Sequence, residues 1–102
     1  MGMKKEIDEF DVYLKEVKKT SDNTRVSYVR DLNQFERFLV QLGKEEPQTV
    51  TAADFNAYID DLKRQNKKTA TVSRNIASVR AFYAYLMKKG KATKNITAIK
   101  II

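Results

Sequence analysis

At 102 residues the chain has room for one domain with one modest core, and 42% apolar and 32% charged residues suit a globular fold. It has no cysteine and no histidine, which excludes disulfides, thiolate metal sites and the commonest general base and metal ligand. No apolar run reaches membrane-spanning length and no signal peptide opens the chain, so a cytoplasmic protein without membrane, cofactor or small-molecule partner is expected.

Met1-Gly2 before Met3 reads as an expression remnant, so residues 1–3 are set outside the fold. The first helix is predicted over about Lys4 to Lys19, where Ile7, Phe10, Tyr13 (or Leu14) and Val17 recur at three- and four-residue steps. Ser21-Asp22-Asn23 stops it and offers N-caps to a second helix reaching Leu42. The stripe of that helix is Tyr28, Leu32, Phe35, Leu39 and Leu42, and Gly43 ends it. After a turn around Pro47, Thr51-Ala52-Ala53-Asp54 has the form of a capping box. It opens a third helix to about Gln65, with Phe55, Tyr58, Ile59 and Leu62 inward. Asn66-Lys67-Lys68 is a polar turn and Thr69 is the expected N-cap of a fourth helix. Val72, Ile76, Val79, Tyr83 and Leu86 form its stripe, and it ends before Gly90. Nothing reads as a strand, so the expected fold is an all-α, compact four-helix bundle over residues 4–90. Residues 91–102 read either as a short fifth helix near Ile96 to Ile99 or as a linker. The apolar Ile99, Ile101 and Ile102 suggest a longer parent protein.

The net charge is +7, and it is unevenly spread. Up to Leu42, eight basic residues balance eight acidic ones; from Gly43 to Asn66 the chain carries −2. From Lys67 onward there are nine basic residues and no acid. Such a field favours a polyanionic partner, nucleic acid first and an anionic membrane surface second. A soluble domain with a lysine-rich tail explains the same numbers.

No catalytic constellation is present. Asp60-Asp61 and Glu45-Glu46 read as solvated pairs, three scattered glycines cannot form a phosphate loop, and Tyr28, Tyr58 and Tyr83 lie on core stripes. The chain alone is therefore not expected to be an enzyme. The helix starts are better supplied for binding. Lys67, Lys68, Thr69 and Thr71 put hydroxyls, lysines and backbone N–H groups at the positive end of helix 4. Arg74 and Ser78, with Ala77, are expected on its outer face, where small residues beside an arginine suit a major groove. Thr24, Arg25, Ser27 and Arg30 repeat the pattern in helix 2. Taken singly, each is as well explained by capping or solvation.

Two blocks carry a resemblance. Asn23-Thr24-Arg25-Val26-Ser27-Tyr28-Val29-Arg30-Asp31-Leu32, followed by Phe35 and Phe38-Leu39, resembles the signature of the N-terminal core-binding domain of tyrosine recombinases. The block from Thr69 to Leu86 resembles the last long helix of that domain, above all Ala77-Ser78-Val79-Arg80-Ala81-Phe82-Tyr83-Ala84-Tyr85-Leu86. The match runs from Ile7 to about Ile99, and Xer-like recombinases and phage or transposon integrases are nearest in style. The resemblance implies a SAM-like bundle that covers one side of duplex DNA through helices 2 and 4. It also implies a separate C-terminal domain that holds the catalytic residues, and a first helix that touches neighbouring recombinase protomers. The chain departs from the pattern at Asn95-Ile96, where relatives commonly carry Asn-Pro. The rival reading is a helical protein–protein interaction module with a basic tail.

Overall fold

Side-chain caps and left-handed stops set the helix boundaries in the computed structural model, which describes residues 3–93 and 95–97. The elements are α1 (Lys4–Glu16), α2 (Asp22–Gln41), a short 3-10 turn (Pro47–Thr49), α3 (Ala52–Arg64) and α4 (Thr69–Lys88). Among the described residues there is no strand, and the fold is all-α. Ser21 caps α2 by accepting from the Thr24 N–H at 3.3 Å. The capping box of α3 is complete: Asp54 N–H donates to Thr51 Oγ1 at 3.1 Å, and Thr51 N–H donates to Asp54 Oδ2 at 2.9 Å.

Three helices end on one device. A residue at positive φ (Gly43 at 78°, Asn66 at 63°, Gly90 at 74°) lets the next N–H reach back five residues to an orphan carbonyl. The bonds are Lys44 to Leu39, Lys67 to Leu62 and Lys91 to Leu86, at 3.0, 3.2 and 2.8 Å.

Two predicted ends shift. α1 stops at Glu16 rather than Lys19, because Lys19 adopts φ 55° and Thr20 N–H turns back to the Leu14 carbonyl at 2.9 Å. Val17, assigned to the apolar stripe, is therefore 64% exposed. Likewise Leu42 is the C-cap of α2 and lies half in solvent. The third correction is the start of α4. Thr69 is its first helical residue, and the N-cap is Lys68, which has no side chain able to accept.

The core is built from one stripe of each helix: Ile7, Phe10 and Leu14; Leu32, Phe35 and Leu39; Phe55, Tyr58 and Leu62; Val79, Phe82 and Leu86. Phe10 ties α1 to α4, with ring centroids 5.5 Å from Phe82 and 5.2 Å from Tyr85. Phe35 ties α2 to α3, 5.0 Å from Tyr58. α2 and α4 pack on each other, with α1 and α3 each touching both. The core also takes in Met3, Ala92 and Ile96, which lie outside the 4–90 range expected from periodicity. Their isolated apolar side chains carry no periodic signal, yet each has a hydrophobic place within reach. Asn95, just before the departure from the family pattern at Ile96, donates to the Arg80 carbonyl at 3.1 Å and accepts from Thr97 N–H at 3.0 Å. Residues 95–97 form a turn. The remainder of the possible fifth helix, with Ile99, Ile101 and Ile102, lies outside the described residues.

Candidate nucleic-acid interface

The seam between α2 and α4 is held by a buried carboxylate. Asp31 sits at the core edge of α2, four residues before Phe35, and is fully buried. Arg74 of α4 grips it with both prongs: Nε donates to Oδ2 and Nη2 to Oδ1, each at 2.9 Å. Ser78, one turn further on, donates to Oδ2 at 2.9 Å. The bond to Asp31 raises the Arg74 pKa above its ordinary value, and partial burial opposes it. Behind this pair lies a second buried link, from α3 to α4. Tyr58 donates its hydroxyl proton to Asn75 Oδ1 at 2.7 Å, and Asn75 Nδ2 donates to the Thr71 carbonyl at 2.9 Å. Burial pushes the Tyr58 hydroxyl well above the usual tyrosine range.

This arrangement redistributes the residues selected from sequence. Ser78 is fully buried and spends its hydroxyl on Asp31, so it does not belong to the outer face of α4. Arg25 is also largely withdrawn. Its side chain is 16% exposed, and it donates to Asp22 Oδ1 at 2.6 Å and Asp11 Oδ1 at 2.9 Å. Hydrogen bonds to Asp22 and then Asp11 raise its pKa, and its Nε is buried without a partner. Arg25 therefore fastens α1 to α2. Thr24 takes part in the α2 cap, its Oγ1 accepting from the Ser21 hydroxyl at 3.0 Å. Ser27 and Thr71 are half-buried.

What remains open is coherent. Arg30, Lys67, Lys68 and Arg80 are exposed and form no ion pair among the described residues. Ala70, Ser73 and Ala77, all small and exposed, line the outer side of α4 next to Arg74. Helical spacing puts Ser27 and Gln34 one turn either side of Asp31, and Ala70 and Ala77 one turn either side of Arg74. The Asp31–Arg74 pair therefore joins the two surfaces into one seam, with Arg30 on its α2 flank. At its head, the first N–H groups of α4 have no side-chain cap and are flanked by Lys67, Lys68 and Thr69. A low-profile, cationic, donor-rich surface of this kind suits phosphate and groove contacts.

Periodicity placed Tyr58 in the core but missed Asp31 and Asn75 as buried polar residues, and Ser78 was set on the outer face. The signal was present, since Asp31 falls four before Phe35, Asn75 four before Val79 and Ser78 four before Phe82. Polar residues at core register call for buried partners. The described residues include no group of acidic, histidine or cysteine side chains able to hold a metal ion. They also include no helix long and apolar enough to cross a membrane.

Four helices around a single core, with α2 and α4 clasped along a basic seam, define an all-α SAM-like bundle. The chain belongs to the phage integrase N-terminal SAM-like domain family, whose pattern matches residues 7–90. It is 36% identical over 83 residues to the tyrosine recombinase XerC of Listeria innocua, covering 81% of this chain and 28% of that protein. It is 36% identical over 96 residues to XerC of Syntrophus aciditrophicus (87% and 31%). Against XerC of Chlorobaculum tepidum it is 30% identical over 95 residues (87% and 28%). The chain thus spans less than a third of the length of these relatives. No solved structure matches it.

Proposed function

We propose that this chain is the duplex-DNA-binding domain of a site-specific tyrosine recombinase, with cleavage and rejoining carried out by a separate domain. In this reading the α2–α4 seam and the uncapped start of α4 lie against the duplex. Lys67, Lys68, Arg30 and Arg80 meet phosphates, and the small residues of α4 allow close approach to a groove. The observation that carries it is charge segregation: every residue of α4 is basic or neutral, and among the described residues Arg74 alone of its exposed cations has an acidic partner, Asp31. Arg74 belongs to the same surface through the part of its guanidinium that Asp31 leaves free. Thr69 and Thr71 contribute the hydroxyl and N–H donors of the first turn. Neighbouring recombinase protomers are the second class of partner, with the outward face of α1 as the contact.

Salt dependence tests the reading. Contacts to about three to five phosphates give a log–log slope of affinity against salt of about −2.7 to −4.5, at roughly −0.9 per phosphate. Binding of a fluorescent duplex that weakens with this slope supports DNA as the partner. Absence of binding at low salt, or salt-insensitive binding to a protein alone, favours the interaction-module reading instead.

A further inference from the structure

We propose that Asp31 is a positioning residue for DNA recognition, its buried carboxylate fixing the Arg74 guanidinium at the seam so that the remaining N–H edge faces the duplex. This rests on the DNA-binding reading above and adds a residue that contacts no DNA itself.

The geometry is two-pronged. Bonds from Nε and Nη2 to the two oxygens of one carboxylate, both at 2.9 Å, fix the plane of the guanidinium as well as its distance. Ser78 donates at 2.9 Å to Oδ2, the oxygen that also accepts from Arg74 Nε. Asp31 itself is fully buried, so water cannot compete for it, whereas 41% of the Arg74 side chain is exposed. The guanidinium has no other hydrogen-bond partner among the described residues, and its side chain is partly open to solvent. A free arginine on a helix samples many rotamers and loses them on binding; one already clamped has less to lose. Sinking a carboxylate into the seam is costly in desolvation, and an apolar pair at positions 31 and 78 would close the same gap without it. A fixed guanidinium edge at the surface is what the polar solution provides and the apolar one does not.

Asp31 cancels the charge of Arg74, so counting charges alone predicts that removing it strengthens binding to DNA. Positioning predicts the reverse. The test compares Asp31→Asn, Arg74→Lys and Ser78→Ala with the unchanged chain. Affinity for a short mixed-sequence duplex is read by fluorescence anisotropy at low salt, folding by circular dichroism, and the Arg74 Nε–H by NMR.

In the unchanged chain the Nε–H signal is expected to be protected and to shift on adding duplex. Asp31→Asn is expected to bind about tenfold more weakly despite its extra net positive charge, a change of about 1.4 kcal/mol. Arg74→Lys, which keeps the charge and loses the fork, is expected to lose a similar factor, and it carries the test if Asp31→Asn does not fold. Ser78→Ala leaves the fork intact and is expected to bind within about twofold. A folded Asp31→Asn that binds as tightly as the unchanged chain, or more tightly, overturns the proposal. So does an Arg74→Lys variant of unchanged affinity, or a Ser78→Ala loss as large as that of Asp31→Asn, which would mean general loosening. Failure of the unchanged chain to bind duplex at low salt overturns the DNA-binding reading itself, and the positioning role falls with it.

Discussion

Tyr58 and Asn75 meet in the middle of the bundle, and each solves a problem created by burying the other. A tyrosine hydroxyl inside a core needs an acceptor, and Asn75 supplies one while its amide nitrogen finds the Thr71 carbonyl. Asn75→Ala strands the hydroxyl and opens a small void. The variant should lose about 1–3 kcal/mol, measured as a lowered urea midpoint at unchanged slope. A second consequence concerns pH. Burial raises the pKa of Tyr58, and also that of Tyr83, whose hydroxyl donates to the Pro47 carbonyl at 2.8 Å. A group whose folded pKa lies above its unfolded value holds its proton longer in the folded state, so its contribution is complete below the unfolded pKa. That contribution is lost as pH rises above about 10, where unfolded tyrosines ionise. Alkaline titration of the denaturation midpoint should show this fall, and Tyr83→Phe should reduce it. These residues also mark where sequence stops being informative. The core register of Asp31, Asn75 and Ser78 could be read from spacing. The identity of each partner could not, because Arg74 lies 43 positions from Asp31. Arg25 shows the same limit: Asp22, three residues away, could be read from spacing, but its second acid, Asp11, sits on another helix.

At the scale of an element, α4 shares with α1 the lack of a side-chain cap that α2 and α3 both have. Lys68 has φ −64° and ψ 152°, nearly the backbone of Ser21 at −63° and 155°, yet only Ser21 has a side chain that caps. The site is therefore ready for a cap and is given a lysine. Lys68→Ser should stabilise the fold by about 0.5–1 kcal/mol by satisfying a first-turn N–H. The same change removes one cation from the proposed phosphate contacts and fills the donor end of the helix, so duplex affinity should fall. Thermal melts and anisotropy on one variant would show the two effects with opposite signs. Equal or improved DNA binding would separate the start of α4 from the interface. The stripes of all four helices were legible because burial imposes a 3.6-residue period. Ends were less so. Gly43 and Gly90 announce their stops by residue type, whereas Lys19 adopts positive φ without any such signal, and α1 ends early there.

Over the whole molecule, charge and packing are organised separately. The packing is symmetrical in kind, each helix giving one apolar stripe to a common core. The charge is not, since all nine basic residues after Asn66 are without an acid in their own stretch of sequence. Sequence carried this asymmetry in full, but not which cations are already engaged. Folding removes Arg25 and half-occupies Arg74, and leaves Arg30, Lys67, Lys68 and Arg80 exposed. The most direct test of the central claim is an amide NMR titration of the 102-residue chain with duplex DNA at low and at raised salt. The account predicts shifts concentrated at 67–74 and around Arg30, fading as salt rises, with α3 little affected. Shifts on α3 alone, or none at low salt, would contradict it.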